Sequence, residues 1–456
     1  HGAATRGLFA DPQGHPPPVK RRGSEMGLEE GLLLGLAGRS LSKLQAMRRH
    51  LAPGAVQPDH LFVADANNYD SLVEMASKAR CVINCVGPYS ELGEAVVRAC
   101  LAAGANLVDV SGEAEWIHRM RTKYDSVAKE RGCLIVPACG WDGIVCDALF
   151  WDLFSELADD EIDADLSLQT LVCAGRRGAL WAPLMAPFAG LCAGGLREVA
   201  RGRRTAANSP AATEPRLAPK KEYLISTRVG TVEYFSEASL YGVRSELFSG
   251  GYVARASHAA VSRGKGHFEH GFYFATPYLA IAYLLAALLW IVPQLAHSRL
   301  FAKVFVRISQ GGGPDPALVN RAASGASVFA LLAVHAPPVS AEVEQASLAS
   351  AGMSRGEPSG RWRPSANPHW VKAGGAVKRG GRESRTLCIQ RDFPGGPAEV
   401  TAITALRSAL LIARCQSLLP VGAGYVTPAT AFGARLRDVL APACGPPRRA
   451  VLPAHR

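Results

Sequence analysis

From Gly31 to about Phe150, short apolar runs exchange with longer amphipathic stretches. Leu32–Ala37, Leu61–Ala64, Cys81–Val86, Asn106–Val110 and Leu134–Pro137 predict strands, because near-continuous apolar runs of this length suit strands buried on both faces. Leu41–Leu51, Tyr69–Ser77, Gly93–Ala103 and Glu115–Arg131 predict helices, two of them closed by Gly104 and Gly132. Strand and helix in regular exchange, with short connections, define an α/β fold with a doubly wound parallel sheet. Ligands of such sheets bind beyond the carboxyl ends of the strands. The residues just after each run are therefore where chemistry is expected.

Beyond Asp147 the pattern changes. Asp159–Asp165 is acidic and precedes another predicted strand, Asp165–Cys173. Gly178–Leu196 is uncharged but broken by Pro183, Pro187 and several glycines, and Ala206–Pro219 reads as a linker. Phe272–Val292 is a run of 21 uncharged residues with Tyr273, Tyr278 and Trp290 toward its ends. That length meets the ~20 residues needed to cross a bilayer core, and aromatic ends suit its interfaces. One membrane-type helix over 272–292 is expected; a buried helix of a large core is the alternative. Arg263 and Lys265 before the run and Arg299 and Lys303 after it leave its orientation open. Residues 311–381 are rich in Gly, Ser, Pro and Arg and are expected to be largely disordered. Helical spacing returns at Val400–Leu419 and Ala431–Leu440. The expected organisation is an irregular segment 1–30, a nucleotide-type α/β domain 31–150, an α+β domain 151–310, an insert 311–385 and a helical segment 386–456 that completes the fold.

Composition narrows the partners. Hydrophobic residues make up 48% and charged residues 20% of the 456, a globular balance. The net charge of +11 is concentrated at Lys20–Arg22, Arg197–Arg204 and Arg355–Arg385, without the aromatic interleaving of a nucleic-acid surface. No nucleic acid is expected as a partner. Eleven cysteines without a CxxC pair point to a reducing compartment and no disulfide framework. His267-Phe-Glu-His270 lacks a third ligand, so no metal is assigned. The chain begins at His1 and is expected to be a fragment or processed product, and residues 1–30 hold too much Gly, Pro and charge for a signal peptide.

The candidate chemistry lies at the strand ends. The run GLLLGLAGRS ends in Arg39 and Ser40, with Lys43 one turn further on. In a dinucleotide-binding fold the second strand ends at the adenosine ribose, and an arginine there accommodates a 2′-phosphate, which marks NADP. Arg39 supplies the planar fork that phosphate recognition uses; the alternative is an arginine that only ends a buried strand. Val86, Gly87 and Pro88 follow the next-but-one strand and would let a cofactor approach the backbone. Tyr89 would line the nicotinamide pocket, donate a proton, or serve as a packing plug. Asp65 either contacts the adenine side or caps a turn. Ser111, Gly112 and Glu113, with Gly140 and Asp142, close the following strands. Glu113 and Asp142 are candidate general acids, or solvated carboxylates of the kind common at strand ends.

LAGRSLSKL at 36–44, CVINCVGPY at 81–89, LVDVSGEAEWI at 107–117 and IVPACGWDGIVCD at 135–147 resemble the saccharopine dehydrogenase-like oxidoreductases. That family includes the trans-acting enoyl reductases of complex lipid synthesis. The tail GYVTPATAFGARLRDVL at 424–440 resembles the family's C-terminal segment. The resemblance implies a Rossmann domain that binds NADP, an α+β domain after it, and a hydrophobic segment that associates with membranes or lipid droplets in several members. It implies a lipid or other small-molecule substrate and a site on a membrane or lipid droplet facing the cytosol. A soluble saccharopine-type dehydrogenase and a non-catalytic lipid-surface protein that keeps the Rossmann shell stay open as alternatives. The chain departs from the family at its start. Members begin with a strand and a G-A-x-G-x-x-G turn that holds the pyrophosphate; here only Gly2-Ala3-Ala4-Thr5-Arg6-Gly7 stands near, so the first strand and glycine loop are expected to be missing. Residues 174–200 and the Arg-rich run 355–385 also depart.

Overall fold

The computed structural model describes residues 5–9, 33–51, 58–157, 161–162, 164–173, 232–235, 238–244, 249–263, 266–295, 326–335, 378–379, 382–383, 385–444 and 446–449. Its first half is built from β1 (Thr5–Phe9), β2 (Leu33–Gly38), α1 (Leu41–Arg49), β3 (His60–Val63), α2 (Tyr69–Ser77), β4 (Cys81–Asn84), α3 (Tyr89–Ala103), β5 (Asn106–Asp109), α4 (Ala114–Glu130), β6 (Leu134–Val136) and α5 (Trp141–Phe154). Every residue of β4, β5 and β6 is buried. Alternation along these strands sends Ile83, Val108, Leu134 and Val136 into a core shared with α5. Val82, Leu107 and Ile135 go into a second core against α2, α3 and α4. Buried on both faces, the strands read as unbroken apolar runs. The helices start where local chemistry dictates. The Ser40 hydroxyl accepts from Lys43 N at the start of α1, Asn68 accepts from Ser71 N at the start of α2, and Gly104 ends α3 at a φ of 74°.

The sheet order is β15-β6-β5-β4-β1-β2-β3, where β15 (Gly424–Tyr425) returns from far along the chain to pair parallel with β6. β2 and β3, β4 and β5, and β5 and β6 are parallel. β1 is the exception. It fills the central slot expected to be empty, within the segment expected to be irregular, but runs antiparallel to both β2 and β4. The facing edges of those two strands carry N–H and C=O groups that need partners, and an extended segment of either direction satisfies them.

The second sheet, ordered β16-β14-β11-β7-β10-β9-β8, is antiparallel apart from the β7–β10 pair. It comprises β7 (Asp165–Cys173), β8 (Val232–Phe235), β9 (Leu240–Arg244), β10 (Phe268–Thr276), β11 (Ala326–His335), β14 (Arg385–Phe393) and β16 (Arg448–Arg449). β12 (Lys378–Arg379) and β13 (Arg382–Glu383) form a separate hairpin. The helices of this part are α6 (Gly250–Val261), α7 (Leu279–Leu295), α8 (Pro397–Cys415), α9 (Pro428–Phe432) and α10 (Leu436–Leu440). α8 packs back on β4, β5 and α5, so this late helix rests on the first sheet.

Two expectations are corrected here. The single membrane-type helix over 272–292 is not formed: its first residues belong to β10, and among the described residues no helix is long and apolar enough to cross a membrane. Phe272, Tyr273 and Phe274 are buried within the sheet, and Pro277, which lacks an N–H and holds its predecessor extended, separates strand from helix. Second, the stretch 311–385, expected to lack order, contains β11, which pairs with both β7 and β14. Gly178–Leu196, Ala206–Pro219, Lys20–Arg22 and Arg197–Arg204 lie outside the described residues.

Candidate functional site

At the end of β2, Arg39 and Lys43 are exposed, while the half-buried Ser40 hydroxyl accepts from Lys43 N at 3.4 Å and contacts Ser42 Oγ at 3.0 Å. Two cations and a helix N-terminus therefore share one corner. Ala64 N donates to Gly38 O at 3.1 Å and brings the end of β3 alongside. Asp65, which follows, turns its Oδ1 back on Asn67 N at 3.0 Å and Asn67 Nδ2 at 3.2 Å. That is an Asx turn, the cap of the two expected roles.

The ends of β4, β5 and β6 are tied together by side chains. Tyr89 N and Ser90 N, at the start of α3, donate to the two oxygens of Glu113 at 2.8 and 2.9 Å. The Tyr89 hydroxyl donates to Asn84 O at 2.8 Å and accepts from Val110 N at 3.3 Å, while its ring lies 5.2 Å from that of Trp116. Burial raises the pKa of Tyr89 well above the ordinary tyrosine value. Tyr89 is thus a plug between β4 and β5. Burial also raises the Glu113 carboxyl, against the opposing pull of the two N–H donors.

Asp109, at the end of β5, links the next pair of turns. Its Oδ1 accepts from Ser111 N at 2.9 Å, Ser111 Oγ at 2.6 Å and Ala138 N at 3.0 Å. Burial pushes its pKa up to about 6 despite those donors. Asp142, in the first turn of α5, accepts from Ser249 N at 3.0 Å and Ser249 Oγ at 2.9 Å, anchoring the start of α6. Val253 and Ala254 of α6 belong to the two different cores, so α6 is wedged between them beside the ends of β5 and β6. Glu113 and Asp142 therefore stand as clamps at the positions where general acids were expected.

NADP would meet three parts of this edge. At the ribose end, Arg39, Ser40 and Lys43 fit a 2′-phosphate. At the nicotinamide end, Gly87 and Gly112 are exposed, and a Cβ on either would meet nothing within 4 Å, which leaves room for a ring beside Val86 and Pro88. In the middle the fit fails. Because β1 is antiparallel, its first residue Thr5, opposite Ala37, lies at this edge. No strand–turn–helix cradle for the pyrophosphate stands there among the described residues. The sequence reading missed Asp109, although it lies inside the quoted run LVDVSGEAEWI. It also missed Ser249, Tyr252 and His118, which no local pattern marks. Among the described residues no cluster of His, Cys, Asp and Glu could hold a metal ion.

A sheet of this order, parallel apart from β1 and flanked by helices, is a Rossmann-like domain. Residues 33–136 match the family model described as the saccharopine dehydrogenase NADP binding domain, and NADP is the cofactor of that domain. Over this region the chain is similar to saccharopine dehydrogenase-like oxidoreductases. It is 47% identical over 121 residues to a "Lipid droplet localized protein" of Caenorhabditis elegans, covering 26% of this chain and 28% of that one. It is 38% identical over 117 residues to a "Saccharopine dehydrogenase-like oxidoreductase" of Mus musculus, 25% of this chain and 27% of that one. It is 38% identical over 127 residues to a "Trans-acting enoyl reductase" of Mycobacterium ulcerans, 28% of this chain and 30% of that one. The chain thus aligns with less than a third of the length of each.

Proposed function

We propose that the chain is an NADP-dependent oxidoreductase that reduces a lipid or lipid-linked acceptor, an enoyl group or a close relative, at the cytosolic surface of a membrane or lipid droplet. One observation carries the reading: Arg39, Ser40 and Lys43 stand together at the end of β2, where a 2′-phosphate separates NADP from NAD. The lipid half is supported by Leu279, Tyr283 and Leu284 exposed on α7, with Tyr278 exposed just before it, and by two relatives, one named for lipid droplets and one for enoyl reduction. When bound, NADPH supplies the hydride. The open backbone at Gly87 and Gly112 admits its ring, while Glu113 and Asp109 hold the surrounding turns in place.

A second reading is a non-catalytic lipid-surface protein that retains the Rossmann shell. The antiparallel β1 favours it, since the pyrophosphate loses its usual cradle. Quenching of tryptophan fluorescence by NADPH and by NADH separates the two. The reductase reading expects NADPH to bind at least tenfold more tightly than NADH. Absence of binding by either dinucleotide leaves the second reading standing.

A further inference from the structure

A dinucleotide-binding sheet grips its ligand at the middle, where the first strand turns into a helix and backbone N–H groups meet the pyrophosphate. In this chain the direction of β1 removes that grip. β1 pairs with β2 from Thr5 opposite Ala37 to Phe9 opposite Leu33, and with β4 from Arg6 opposite Ile83 to Leu8 opposite Cys81. Leu33 opens β2, and Ala37 stands next to its last residue, Gly38. β1 therefore enters the slot at the carboxyl edge of its neighbours and leaves it at the amino edge. A turn directly after Phe9 stands at the edge opposite Arg39, where no pyrophosphate reaches it. Between Arg6 and Leu8 both edges of the strand are paired, so its backbone groups are already spent on β2 and β4.

The adenosine end is built differently. Arg39 and Lys43 are exposed, and the Ser40 hydroxyl caps α1. α1 has no acidic residue in its first turn and carries Arg48 and Arg49 in its last. The Asp65 carboxylate at the end of β3 is turned onto Asn67. Cationic side chains thus stand open to solvent beside a helix start, while the backbone of the neighbouring slot is closed.

We propose that the chain holds an adenine dinucleotide by its 2′-phosphorylated adenosine alone, and that the pyrophosphate adds no affinity. This rests on the 2′-phosphate role read above for Arg39, Ser40 and Lys43. The ligand class is then an adenine nucleotide with a phosphate monoester on its ribose, with or without a nicotinamide half. Because the cations that hold it are exposed, its binding is screened by salt.

Calorimetric titration of the full chain with adenosine 2′,5′-bisphosphate, NADPH and NADH tests this. The bisphosphate and NADPH are expected to bind within about threefold of each other, since no hydrogen bond to the rest of the dinucleotide adds to the corner. NADPH binding more than about 30-fold tighter than the bisphosphate, the scale of one hydrogen bond to a charged group, overturns the proposal and leaves the 2′-phosphate role standing. Binding of neither overturns both together. A second measurement addresses β1 itself. Thr5→Cys with Ala37→Cys, placed opposite each other by the antiparallel register, should cross-link on oxidation, as peptide mapping would read. Thr5→Cys with Leu33→Cys, at opposite ends of the ladder, should not. The cross-linked protein is expected to bind NADPH as the wild type does. Cross-linking at Leu33 alone, or NADPH binding lost on locking and restored by reduction, overturns the proposal, because the dinucleotide then needs β1 reversed or displaced.

Discussion

Arg39 differs from the carboxylates around the same edge in what its surroundings ask of it. Glu113, Asp109 and Asp142 each accept from backbone N–H groups of a neighbouring turn. Their placement is explained by the fold alone. Arg39 is exposed at the end of a buried strand, beside the exposed Lys43 and the capping hydroxyl of Ser40. A guanidinium there suits a phosphate and contributes little to folding. Replacing Arg39 with alanine is expected to weaken NADPH by about 1.5–3 kcal/mol, the scale of a hydrogen bond to a charged group. NADH, which has no 2′-phosphate, should bind almost as before. Paired titrations of the two dinucleotides check this, and equal losses for both would remove the 2′-phosphate role.

At the scale of elements, α7 carries a prediction of its own. Ala282 and Leu285 face a small core with β9 and β10, while Tyr283 and Leu284 are 60% and 48% exposed on a helix without a charged residue. An apolar helix face left exposed in this way marks an interaction surface, which the proposed function assigns to lipid. Flotation with phosphatidylcholine vesicles should recover the wild type, and Leu284→Asp with Tyr283→Asp should cut the floated fraction at least about tenfold while NADPH binding is unchanged. Equal flotation would assign the lipid contact to another surface. The same segment shows what the sequence could reveal. The strands of 31–150 were legible because each is a short apolar run bounded by polar turns, and the corner at Arg39 was legible because its parts lie within five residues. Phe272–Val292 was not, since strand and helix are equally apolar there and only Pro277 marks the break. β11 was hidden because the Gly- and Pro-rich residues around it dominate the average over that stretch. The clamps were invisible for a different reason: Tyr89–Glu113, Asp142–Ser249 and His118–Tyr252 join residues 24, 107 and 134 apart. No local pattern encodes a partner at that distance.

Across the whole molecule, buried carboxylates on α5 join the two sheets. Asp152 pairs with Arg391 of β14 and, at 3.0 Å, with Arg437 of α10. Asp147 is the less satisfied of the two. Its Oδ2 accepts from Ala429 N at the start of α9 at 2.6 Å, while its Oδ1 has no hydrogen-bond partner among the described residues. Burial pushes its pKa up to about 7 against the help of Ser257 on α6 and Ala429 N. A carboxyl whose folded pKa lies above its unfolded value holds its proton more tightly when folded. Its contribution is therefore most favourable at mildly acidic pH, and stability falls as pH rises from about 4 through about 7. His258 and His270, whose pKa values burial lowers to about 4 and about 3, tilt the curve the other way below neutrality, because the unfolded chain takes up those protons first. The overall pH profile mixes these slopes, so the informative quantity is a difference. Asp147→Asn keeps an oxygen for Ala429 N and removes the buried charge. It should come within about 1 kcal/mol of wild type at pH 4 and exceed it by up to about 4 kcal/mol at pH 8, as urea unfolding at the two pH values would read. A variant less stable than wild type at both pH values would mean that the ionised carboxylate is needed to hold α9 against α5 and α6.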